Sequence, residues 1–141
     1  MDKQDLGFEI HLNQSHEQAL ESVTAALKQE GFGVLTRIDI QATMKEKLGV
    51  DFRPYTILGA CNPPLSHRAL SADSLTGLLL PCNVTVENTL KGGSIVRIID
   101  PEVMLNVGAL GENQILREIS SEAHSKLLRV AETLAQSGAV A

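Results

Sequence analysis

Aromatic residues are scarce in this chain: three Phe, one Tyr and no Trp among 141 residues. A core poor in rings must be filled by Leu, Ile, Val and Ala, and a surface poor in them offers no platform for stacked bases. Positive charge is also short, with 12 Lys and Arg against 17 Asp and Glu, for a formal net charge of −5. The basic residues are scattered singly, so no stripe displaces counterions from phosphates, and nucleic acid is excluded as a partner. No apolar run approaches the roughly 20 residues that span a bilayer, which excludes a membrane helix. Cysteine is limited to Cys61 and Cys82. Their spacing is not Cys-x-x-Cys, so a thioredoxin-type motif is excluded. The charged start Met1-Asp2-Lys3-Gln4-Asp5, with no apolar segment behind it, predicts a cytoplasmic, soluble protein whose cysteines are free thiols.

The composition that is present fits one globular domain with a core over about residues 6–136. Residues 6–12 alternate apolar and polar, the period of a strand, with His11 pointing away from the apolar set. Ser15-His16-Glu17-Gln18 has the pattern of a capping box, and Ala19, Leu20, Val23, Ala26 and Leu27 then recur at helical spacing up to Gly31. A second strand is predicted over residues 32–40, with Phe32, Val34, Thr36, Ile38 and Ile40 on one side. A short helix follows through Met44 and Leu48, closed by Gly49, and a third strand runs from Tyr55 to Cys61. Asn62 and Pro63 read as N-cap and first helical residue of a short helix containing Leu65 and Ala69. Residues 75–87 form the longest strand-like run, in which Pro81 implies an edge position or a bulge. The turn through Lys91-Gly92-Gly93 lacks phosphate-loop spacing and predicts a hairpin to residues 94–99. Asp100-Pro101 repeats the cap pattern, and a long helix with a narrow apolar stripe occupies residues 112–136, carrying a Glu122–Lys126 surface pair.

Candidate chemistry concentrates where the two cysteines are. Each is followed by Asn and has Pro beside it: Cys61-Asn62-Pro63 and Pro81-Cys82-Asn83. Cys61 immediately precedes a helix cap, where free N–H groups and the helix dipole favour a thiolate, although a small buried residue fits the same place. Cys82 shares a strand face with Leu80 and Val84, which points to packing. The Asn62 and Asn83 amides suit a polar ligand, beside their ordinary roles as helix cap and local turn partner. With His67, the two thiols make three soft metal ligands at most, one fewer than a structural zinc site requires; His11, His16 and His124 lie elsewhere. Glu87, Asp100 and Glu102 surround one hairpin without forming an acid–base pair.

The runs Tyr55-Thr56-Ile57-Leu58-Gly59-Ala60-Cys61-Asn62-Pro63 and Gly77-Leu78-Leu79-Leu80-Pro81-Cys82-Asn83-Val84, followed by Ile99-Asp100-Pro101, resemble the prokaryotic family called domain of unknown function 302. The likeness covers about residues 7–134. It implies an α+β fold similar to one half of the TATA-binding protein: a curved, mainly antiparallel sheet with helices on one face, often paired as a homodimer. DNA binding is not carried over, because the basic surface is missing. The family has no established activity, so Cys61, Asn62, Pro63, Pro81, Cys82 and Asn83 carry over as motif residues without a role.

The expectation is a sheet of about five strands, with the helices of residues 15–30 and 112–136 on one face and a second copy on the other, apolar face. The leading functional reading is a dimeric binding or sensing module, with a small-molecule or metal pocket at Cys61, Asn62, Pro63, His67, Pro81, Cys82 and Asn83. The rivals are a thiol redox or sulfur-transfer enzyme using Cys61, and a structural interaction protein with inert cysteines. Ligand and cofactor are left open.

Overall fold

The computed structural model describes residues 2–3 and 5–138. The alternating segments pair into one open antiparallel sheet of six strands, in the order β1-β2-β6-β5-β4-β3. These are β1 (Asp2–Lys3), β2 (Gly7–Leu12), β3 (Gly33–Asp39), β4 (Tyr55–Cys61), β5 (Cys82–Asn88) and β6 (Ser94–Ile99). The helices are α1 (His16–Gln29), α2 (Ile40–Leu48), α3 (Pro63–Ala72), α4 (Pro101–Met104) and α5 (Gln114–Gly138). No described helix is long and apolar enough to cross a membrane.

Local chemistry sets the helix starts. The Ser15–Gln18 capping box opens α1, the Asn62 side chain accepts from the Leu65 N–H at the start of α3, and Asp100 does the same for Glu102 in α4. Asn113 accepts from Leu116, so α5 begins two residues later than the spacing suggests, after a 3-10 turn at Gly108–Glu112. Phe8, Ile10, Val84, Val96 and Ile98 line one face of the sheet and meet Leu20, Val23 and Leu27 of α1 and Leu127, Val130 and Leu134 of α5. Each such side chain contributes about 1.5–3 kcal/mol on burial. A second cluster, Leu65 and Ala69 with Leu116, Ile119 and Ala123, seats α3 on α5.

Three expectations fail, each for a local reason. Residues 75–87 are not one strand: Asp73 accepts from Leu75 N–H and receives the Thr76 hydroxyl on its carbonyl, winding Ser74–Leu78 into a 3-10 helix and leaving Leu78 83% exposed. Pro81 therefore precedes β5, which is a central strand and loses no ladder bond. In β3 a bulge between Val34 and Thr36 breaks the alternation, and Asp39 ends the strand by capping α2, so Ile40 is helical. Lastly, Glu122 pairs with Arg68 of α3 at 2.7 Å rather than with Lys126.

Candidate functional site

At the junction of β4, α3 and β5, the two Cys-Asn motifs become neighbours because Ala60 pairs with Cys82. Cys61 is partly exposed, and its Sγ lies 3.1 Å from Ser66 Oγ on α3. Cys82 is buried, and burial, with Cys61 adding to it, pushes its thiol up to about 11. A buried neutral thiol is a packing group at neutral pH, not a nucleophile. Asn62 is buried and bonded at both ends of its amide: Oδ1 accepts from Leu65 N–H and Nδ2 donates to the Glu30 carbonyl, both at 3.3 Å, joining α3 to the end of α1. Pro81 packs on Gly59, where an added Cβ would fall 2.7 Å from Pro81 Cγ and 2.2 Å from Thr36 Oγ1, so β4 needs glycine there. Pro63 and His67 are exposed on α3. The space beside Cys82, Ser66 and Leu80 is about 30 Å³, room for a water rather than an organic ligand. No three His, Cys, Asp or Glu side chains are gathered to hold a metal ion among the described residues.

Asn83 goes elsewhere. Alternation along β5 sends Cys82 into the core and Asn83 to the opposite face, the one not covered by α1 and α5. There a groove of about 650 Å³ is bordered by Leu6, Tyr55, Asn83, Thr85, Arg97 and Ile99. Glu9 and Arg97 line it and belong to a row of ion pairs crossing three strands. His11 Nε2 is 3.1 Å from Glu9 Oε2, and Arg97 donates from Nε to Glu9 Oε1 at 2.7 Å. Arg97 also donates from Nη1 to Glu87 Oε1, and Arg53 donates from Nε to Glu87 Oε2 at 2.6 Å. Arg53 lies 4.6 Å from the centre of the Phe52 ring and 5.8 Å from that of Tyr55. The face expected to be apolar is thus mixed, with charges among Ile57, Ile95 and Ile99.

The row holds its protonation state firmly. The Glu9 carboxyl lies below the usual range because of the His11 hydrogen bond and, against burial, those of Arg97. Burial alone would raise Glu87, but the hydrogen bonds and charges of Arg97 and Arg53 outweigh it and keep that carboxyl low too. Arg97 is likewise drawn up by both glutamates against burial, so all three are ionised at neutral pH.

The family model for "Domain of unknown function DUF302" matches residues 8–134. The chain belongs to this family. A solved structure, the uncharacterized conserved DUF302 protein from Bacillus stearothermophilus, is similar over 93% of this chain and 99% of that one, with 26% identity and a TM-score of 0.81. No curated protein matches. In this DUF302 chain the motif residues divide into an inner set, Asn62 and Cys82, that fastens α3 and the core, and an outer one, Asn83, that faces the groove.

Sequence reasoning did not find Glu9, Arg97, Arg53 or Tyr55 as site residues. The one available signal was the polar set alternating with core residues in β2, β5 and β6: a charge inside a strand whose other face is buried must look outward. A second pair also escaped notice: His124 Nδ1 of α5 is 2.8 Å from Oδ1 of buried Asp100, tying the long helix to the start of α4.

Proposed function

We propose that this DUF302 protein is a non-catalytic domain that binds a small molecule in the groove on its uncovered sheet face. The observation that supports the reading is the contrast in space and chemistry between the two candidate places. About 650 Å³ opens beside the ion-pair row, Asn83 and Thr85, against about 30 Å³ beside the thiols. Pockets of several hundred Å³ with apolar walls and a few placed polar groups are the usual small-molecule sites. Cys82 then serves packing and Asn62 serves capping. Cytoplasmic residence belongs to the same reading, supported by two free cysteines.

A fragment screen followed by amide chemical shifts of the labelled protein tests this. Binding should move resonances of Tyr55, Asn83, Thr85 and Arg97, persist when both cysteines are replaced by serine, and vanish in Thr85→Trp, which fills the groove. Shifts clustered instead at Cys61 and Ser66 would return the site to the thiols. The enzyme reading rests on Cys61 alone, since Cys82 is buried and its thiol stays protonated at neutral pH.

The homodimer belongs to the proposal as well. Its support is the edge at β3 and α2, where Leu35, Ile38, Leu48 and Val50 are exposed and α2 buries no residue.

A further inference from the structure

We infer that the groove selects neutral, carbonyl-bearing ring compounds, such as amides and lactams, over carboxylates and phosphates. The inference rests on the binding reading above and adds the chemical class of the ligand.

The groups of the row differ in the hydrogen bonds they have left to offer. A guanidinium carries five N–H donors, and Arg97 gives one to Glu9 and one to Glu87, so three remain, including both on Nη2. The carboxylates keep one lone pair on each oxygen. Each oxygen of Glu9 meets one partner, Arg97 or His11, and each oxygen of Glu87 meets one, Arg97 or Arg53. Among the polar side chains that border the groove, Arg97 is donor-only, whereas the Asn83 amide and the hydroxyls of Thr85 and Tyr55 both donate and accept. A ligand that satisfies the three free N–H groups of Arg97 must bring acceptors.

The charge balance decides which acceptors. Among the described side chains, Asp5, Glu9 and Glu87 outnumber Arg97 and Arg53 around the groove, and the whole chain carries −5. An anion approaching Arg97 meets a guanidinium already neutralised on two sides and a surplus of ionised carboxylates within a Debye length. A cation brings no acceptor for the Arg97 N–H groups and meets their positive charge. A neutral carbonyl pays neither penalty and accepts from the free N–H groups of Arg97. Beside that polar floor, the Tyr55 ring, Leu6 and Ile99 offer an apolar wall for a flat or cyclic body.

The test uses matched probes that differ in charge and little else: benzamide against benzoate, and nicotinamide against nicotinate, titrated into the full-length labelled protein at neutral pH. The amides should shift the Thr85 and Asn83 amides and the Arg97 side-chain resonance, with apparent affinity about tenfold or more above that of the carboxylates. Glu9→Gln removes one negative charge while keeping an acceptor for Arg97, and should narrow that ratio by strengthening the carboxylates. Carboxylates binding as tightly as amides, or a ratio unmoved by Glu9→Gln, would overturn the selectivity while leaving the groove a binding site. Failure of all four probes to move any groove resonance would remove the binding reading and this inference with it.

Discussion

Cys61 and Cys82 show how far one residue type can differ within a single junction. Cys82 is 7% exposed with its thiol pushed up to about 11, whereas Cys61 is partly open and meets only the Ser66 hydroxyl. Alkylation of the native protein with iodoacetamide, read by mass spectrometry, should label Cys61 at least about a hundredfold faster than Cys82, because burial both shields Cys82 and keeps its thiol protonated. Equal rates would mean that the junction opens as readily as a surface loop. At this scale the sequence was informative about caps and less so about sites. Asn62 and Asp100 were legible because a cap is a bond between a side chain and an N–H two or three residues on. Arg97 was not, because its partners Glu87 and Glu9 lie 10 and 88 residues away.

At the scale of elements, the ion-pair row is what fastens β2, β6, β5 and the approach to β4 on the side that no helix covers. Its glutamates have depressed folded pKa values. Their contribution is therefore complete above the unfolded carboxyl value of about 4.3, and it is lost as pH falls through the lower folded values. Glu87→Gln should cost about 1–2 kcal/mol at neutral pH, discounted because Arg53 and Arg97 are half-exposed and screened. The difference from the parent should shrink towards zero in strong acid, as measured by urea unfolding at several pH values. A difference that is independent of pH would assign Glu87 a packing role instead. The same scale explains the misread strand at residues 75–87. A run of leucines has no period that separates strand from helix, and the Asp73 side chain settles the matter by bonding the Leu75 N–H.

For the whole molecule, the two sheet faces have separate tasks. One is sealed by α1 and α5, and the other carries charge and a groove. At the apolar edge of β3 and α2, Ile38 pairs with Ile57 and so shares the groove side of the sheet, at the end of the strand order away from β1 and β2. Light scattering should report twice the chain mass at the concentrations used for spectroscopy, and Ile38→Asp should halve it without disturbing groove resonances. A parent protein of single-chain mass would remove the dimer and leave the groove untouched.

The sequence by itself determined the helix caps, the strand alternation that fills the core, and the family, because these depend on neighbours within about four residues or on whole motifs. Only the tertiary structure decided that Asn62 and Cys82 look inward while Asn83 looks out, and that Glu9, Arg97, Glu87 and Arg53 form one row. Strand register sets those meetings, and register is a property of the assembled sheet rather than of any one strand.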